Sequence, residues 1–328
     1  MRKIFLLLFC LQCVILQAQI VRKRTVKLMG SRFDITISAK SEAEAEAYID
    51  MAVAEIDRIE NVLSEWREET PVSEINRNAG IKPVKVSQEL FDITERALQF
   101  SKLTDGAFDI SFASMDRIWK YDGTMTEMPS DASVKASVKK VGYRNIVLDK
   151  ENKTIFLKEP GMKIGFGSIG KGYAADKTKE LMLSKGVPAG IINASGDMNS
   201  WGKQPDGKEW TVGITNPMNQ NKVFATFPLS DSAVVTSGDY EKFVILDGKK
   251  YSHIIDPRTG YPARGISSVT VFATSAELAN GLSTAIMVMG KEAGINLIDQ
   301  IKGMSCVIVD ENGHIFYSKA IDIKKYSK

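Results

Sequence analysis

Only two histidines occur in the 328-residue chain, His253 and His314. Histidine is the usual acid or base near neutral pH, so any histidine-dependent step has two candidates at most, and a multi-histidine zinc site is excluded. His253 stands in YSHIIDPRTGYPA, residues 251–263, on a strand running into a turn that Asp256, Pro257, Thr259 and Gly260 are suited to hold. His314 stands on an Asn312-Gly313 hairpin and is expected to be solvated. A lone strand histidine is also an ordinary structural residue, so both readings of His253 stay open at this stage.

Three further segments could carry chemistry. IGFGSIGKGYAAD, residues 164–176, sets Gly165, Gly167, Gly170 and Gly172 just before a helix. Backbone N–H groups and the helix dipole there could cradle a phosphate. The run is not a Walker loop, because Gly172 rather than serine or threonine follows Lys171, and it is not the usual strand-turn-helix dinucleotide fingerprint. AELANGLSTAIMVMG, residues 276–290, spaces Asn280, Ser283 and Thr284 as i, i+3, i+4, placing three oxygen-bearing side chains on one helix face. Oxygen donors suit magnesium or calcium, although such groups can instead bond the preceding helical turn. TDGAFDIS, residues 104–111, reads as a turn at Asp105-Gly106 leading into a strand, with Trp119 beyond it.

The elements that must position these groups are legible in outline. Val26 to Ala39 alternates as a strand, and Ser41 to Leu63 reads as a helix with a capping box at Ser41 and Glu44. Ile49, Ala52, Val53, Ile56, Ile59 and Leu63 form its apolar face. Further helices are expected near 90–101, 173–185 and 276–289. Hairpins are expected around Asn152, Asp247-Gly248 and Asn312-Gly313. Helices and strand pairs mix without a regular strand-helix beat. The predicted class is therefore α+β, with antiparallel sheets and helices in one compact unit and no domain boundary between residues 19 and 328.

Residues 1–18, MRKIFLLLFCLQCVILQA, run from a basic start through an apolar stretch to Ala18, the order of a secretory signal peptide. The expectation is export to the periplasm, with no membrane span once the leader is cleaved. Phe9 and Gln12 precede Cys10 and Cys13, where a lipoprotein cysteine would follow a small residue, so cleavage without a lipid anchor is favoured over the lipid-anchored variant. Only Cys306 then remains, in a strand-like apolar run that favours an inert thiol. Against 40 acidic side chains stand 43 basic ones, a charge of +3; without Arg2 and Lys3 the balance is 41 against 40, or +1. That near-neutral charge gives no support to nucleic-acid binding.

In their order along the chain these segments resemble the FAD:protein FMN transferase family, also called ApbE or thiamine biosynthesis lipoprotein. The resemblance runs through LMGSRF at 28–33, SEWREETPVSEIN at 64–76, DGAFDIS, IGKGYAAD, SGD at 195–197, TSGDYEKF, SHIIDPRTG and AELANGLSTA. It implies an exported enzyme that binds FAD and Mg2+ and moves FMN onto a threonine or serine of a partner. The partner it implies is a subunit of a sodium-pumping (Nqr-type) or Rnf-type membrane redox complex. A periplasmic FAD pyrophosphatase and a non-catalytic flavin-binding protein are the alternatives.

By position, the resemblance places Met29, Trp66, Ala107, Phe108, Asp109, Ser168 or Lys171, Tyr173 and Ile255 around the flavin nucleotide. It implies His253 as catalytic base, and a metal held by the Gly170 carbonyl with Asn280, Ser283 and Thr284. The chain departs from the family at Asn280 and Gly165, where aspartate is usual. An amide oxygen without charge implies weaker magnesium binding.

Overall fold

The computed structural model of the chain describes residues 19–321. The leader segment 1–18, with Cys10 and Cys13, lies outside the described residues. Eight strands form one antiparallel sheet in which spatial order follows chain order: Ile20–Leu28, Ser31–Ala39, Ala189–Ala194, Asp197–Trp201, Ala233–Gly238, Ile266–Ala273, Ser305–Asp310 and Ile315–Tyr317. The helices are α1 (Glu42–Leu63), α2 (Pro71–Arg77), α3 (Gln88–Leu103), α4 (Asp131–Ser137), α5 (Gly170–Ser184), α6 (Ala276–Met289) and α7 (Lys291–Ile298). Two antiparallel strand pairs and a small three-stranded antiparallel sheet complete the α+β fold.

Period-two alternation puts Phe33, Ile35 and Ile37 on the inner face of the second strand, all fully buried. Period-3.6 patterning puts Ile49, Ile56 and Ile59 of α1 in the same core, with α5 and α6 beside it. The other sheet face is covered in part by a ribbon, Trp210–Asn216 with Asn219–Leu229, whose Phe227 packs on Phe272. Cover on both faces explains why Ile266–Ala273 is buried almost throughout rather than alternating.

The expected hairpins form at all three places. The run Val26 to Ala39, expected as one strand, is two strands joined at Met29-Gly30. Met29 and Gly30 have φ of 48° and 66°, a tight turn with both central residues left-handed, and methionine at the first of them hides it from a turn search. DGAFDIS does not enter a strand. Asp109 accepts from the N–H of Ser111 and caps a short 3-10 helix, Ile110–Ser114. Helix α5 begins at Gly170, three residues before the expected Tyr173. Ser41 caps α1 as expected, but Glu44 reaches back to the N–H of Lys40 and not to that of Ser41.

Candidate active site

Helices α5 and α6 meet at their N-terminal ends, and Gly172 makes this possible. A Cβ at that position would lie 2.3 Å from the Ala276 carbonyl oxygen. Asp176, one turn further along α5, accepts from the N–H of Ala276 at 2.7 Å and of Glu277 at 3.0 Å, from Ser275 Oγ at 2.7 Å and from Asn199 Nδ2 at 2.6 Å. A side chain of one helix thus caps the next.

Above this junction lies a cavity of about 1500 Å³. The four glycines of 164–176 therefore divide their work. Gly165 and Gly167 line the cavity, Gly170 packs against Met29, Phe166 and Leu63, and Gly172 abuts α6.

His253 lines this cavity, one residue beyond the strand Lys249–Ser252. Its Nδ1 lies 3.1 Å from the carbonyl oxygen of Lys242. A carbonyl can only accept, so Nδ1 carries the proton and the neutral ring keeps its lone pair on Nε2. Burial lowers the pKa, helped by Lys242 and Lys171 and opposed by the bond to Lys242. Tyr121 packs edge-on against the ring and donates to the Ser252 carbonyl at 2.8 Å. The following turn is held as its residue types require: Asp256 accepts from the N–H of Arg258, and Thr259 from that of Tyr261. Trp119 ties it to the cavity wall by donating to the Gly260 carbonyl at 2.9 Å. His314 is exposed on its hairpin and bonds Asp310, away from the cavity.

Lys171 points into the cavity and pairs with Asp197 at 3.0 Å. Complete burial pushes the Asp197 carboxyl up to about 6, with Lys171 opposing and Glu241 adding to the rise. Glu241, also at the cavity, is raised by burial. Neither acid stands out in sequence beyond its place in the SGD and GDYEKF runs. Packing of α5 on the Asp197–Trp201 strand, and pairing of that strand with Ala233–Gly238, bring them to Lys171.

On α6, Asn280 and Thr284 line the cavity. Ser283 is fully buried and engaged internally, within 2.9 Å of Ser237 Oγ and donating to the Asn280 carbonyl. The side-chain oxygen of Asn280 is buried without a hydrogen-bond partner. An orphaned carbonyl oxygen beside hydroxyl groups fits a hard cation, which takes neutral oxygens. No cluster of three His, Cys, Asp or Glu side chains suited to a metal occurs among the described residues.

Of the residues expected around the nucleotide, Trp66, Ala107, Phe108, Asp109, Ser168, Lys171 and Ile255 line the cavity. Burial raises the Asp109 carboxyl, although Ser111 and the N–H of Tyr143 donate to it. Met29 and Tyr173 do not line it. Met29 donates its N–H to Glu60, and the Tyr173 hydroxyl donates to Glu89 at 2.8 Å beside a second, smaller cleft. Gly170 and Ser283 likewise sit behind the cavity wall rather than on it.

Comparison with known proteins places this arrangement. The ApbE family model matches residues 29–308. The chain belongs to the ApbE family. A FAD:protein FMN transferase of Klebsiella pneumoniae is 30% identical over 89% of the chain and 90% of its own length. One from Treponema pallidum is 30% identical over 83% and 79%. The ApbE protein of Thermotoga maritima superposes with a TM-score of 0.84 at 31% identity, covering 94% of this chain and 99% of that one. Family membership agrees with the ordered motif set, and with α+β architecture through nearly the whole described chain.

Proposed function

We propose that the chain is a FAD:protein FMN transferase, exported and magnesium-dependent. It moves FMN from FAD onto a threonine or serine hydroxyl and releases AMP. The observation that carries this reading is the tautomer of His253: with Nδ1–H held by the Lys242 carbonyl, the free lone pair is on Nε2 of a ring lining a cavity that also holds Lys171 and an aromatic platform at Trp66. At about 1500 Å³ the cavity exceeds the roughly 300–1,000 Å³ of ordinary small-molecule sites, leaving room for a dinucleotide and a segment of acceptor chain.

The acceptor hydroxyl gives its proton to His253 Nε2 as its oxygen attacks the phosphorus on the riboflavin side of the pyrophosphate. The bridging P–O bond breaks and AMP leaves. Lys171, fixed by Asp197, supports the negative charge of the pyrophosphate. Asn280 and Thr284 would hold magnesium, with the Gly170 carbonyl and Ser283 as further oxygens behind them, and the ion would neutralise phosphate charge. The reaction needs positioning and charge compensation more than a covalent nucleophile, which suits a chain whose Cys306 is buried with its thiol pushed up to about 11 by burial.

The acceptor inferred from the family resemblance is a subunit of a sodium-pumping (Nqr-type) or Rnf-type redox complex, met on the periplasmic side. No helix among the described residues is long and apolar enough to cross a membrane. The test is to incubate the protein lacking residues 1–18 with FAD, magnesium and such an acceptor domain, and to weigh the acceptor. A mass increase of one FMN supports the reading, and an unmodified acceptor in the presence of bound FAD refutes it.

A further inference from the structure

Several carboxylates in the cavity have no part in the steps above, and Glu65 stands out among them by its place beside Trp66. Glu65 follows the end of α1, half-buried, and lines the cavity beside Trp66. Its loop is rigidly held: Thr70 Oγ1 donates to the Ser64 carbonyl at 2.5 Å, and Arg67 pairs with Glu60 at 3.2 Å. Among the described residues the Glu65 carboxylate has no ion pair or side-chain hydrogen bond, and its own backbone N–H donates to it. Arg117, whose charge acts on Glu65, is stacked on the Trp66 ring at 4.3 Å. With Arg117 on one face, Trp66 remains 68% exposed and can take a planar ring on the other.

A carboxylate so placed repels a pyrophosphate, so the phosphates belong at the Lys171 end and Glu65 must meet a neutral donor. An aromatic platform next to a hydrogen-bond acceptor is the arrangement by which proteins stack a nucleobase and read its edge. We propose that Glu65 is a specificity-determining residue whose carboxylate accepts a hydrogen bond from an N–H on the edge of a heteroaromatic ring stacked on Trp66. This rests on the FAD reading above, in which the donor is the flavin imide N–H or the adenine amine.

The backbone supplies an unusual control. A Cβ on Gly165 would lie 2.8 Å from Glu65 Oε1 and 3.1 Å from the Ala113 Cβ, so a side chain at 165 competes with Glu65 for one space. A carboxylate moved to position 165 in a chain lacking Glu65 would fill that space.

The experiment compares binding of riboflavin with N3-methylriboflavin, and of AMP with purine riboside monophosphate, which lacks the amine. The wild type should prefer the donor-bearing member of one pair by roughly ten- to a hundredfold, the worth of a hydrogen bond to a charged group. The pair that shows the preference identifies the ring. Glu65→Ala should erase the preference, Glu65→Gln should keep part of it, and Glu65→Ala with Gly165→Asp should restore it. No preference in the wild type, or an unchanged preference in Glu65→Ala, overturns the proposal. A wild type that binds FAD but discriminates neither pair refutes this inference alone; one that binds no FAD overturns both it and the transferase reading.

Discussion

Replacing Asp176 should loosen the junction on which the cavity rests. Its carboxylate accepts four hydrogen bonds, two of them from the backbone N–H groups of Ala276 and Glu277, which are 0% and 7% exposed. In Asp176→Ala those two donors lose their protein partner at the edge of the smaller cleft, where water can replace it in part, at about 1 kcal/mol each. Loss of a helix cap alone costs about 0.5–2 kcal/mol. Ser275 still accepts from the N–H of Leu278, so one capping bond survives. The combined loss is about 3 kcal/mol, and at about 2 °C per kcal/mol for a chain of this size the melting midpoint should fall by roughly 6 °C. Asp176→Asn retains one oxygen acceptor and should cost about half as much. Thermal unfolding followed by far-ultraviolet circular dichroism measures both. An Asp176→Ala protein that melts within a degree of the wild type would refute the claim that one helix caps the other.

Other perturbations address the site and the sheet. Asp34 is held at about 2: burial opposes the shift, but donation from Thr25, Arg32 and Lys23 outweighs it. A lowered carboxyl stabilises the fold above its unfolded pKa and loses that effect as pH falls through the folded one. Solvent screens the exposed Arg32 and Lys23, so Asp34→Asn should cost about 1 kcal/mol at pH 7, a gap that closes between about pH 5 and pH 2 in urea titrations. Because burial lowers the His253 pKa, transfer should be full at neutral pH and fall on acidification with a midpoint below the ordinary histidine value of 6.5. Asp197 titrates close by, so the profile is best measured in Asp197→Asn, and a limb that persists in His253→Ala would exclude the imidazole. Asn280→Asp should lower the magnesium concentration giving half-maximal transfer about tenfold or more, since a carboxylate holds a hard cation better than an amide. An unchanged magnesium profile would place the cation elsewhere.

Much of this was legible in the sequence, for reasons that differ by element. Helix α6 announces both ends, with Ser275 as cap and Gly290 beyond the last turn, and its bounds match the expected 276–289. The Asp247-Gly248 turn is equally explicit, with both residues at positive φ. By contrast, Met29 adopts a left-handed conformation that its residue type does not advertise. The site divides in the same way. His253 is visible because histidine is scarce, whereas Asp197, Glu241 and Glu65 are ordinary acids until the sheet and the α1 loop bring them to one cavity. Within one motif Ser168 and Lys171 face the cavity while helical rotation turns the Tyr173 ring to Glu89.

In the proposed reaction His253 Nε2 directs an acceptor hydroxyl, rather than water, onto FAD. The most direct measurement counts both products in one reaction: AMP released and FMN bound covalently to the acceptor, for wild type and His253→Ala. A transferase should yield one bound FMN for every AMP in the wild type, with both rates lowered roughly 10²- to 10⁴-fold in His253→Ala while FAD still binds. AMP accompanied by free FMN and an unmodified acceptor, or equal transfer by the two proteins, would contradict it.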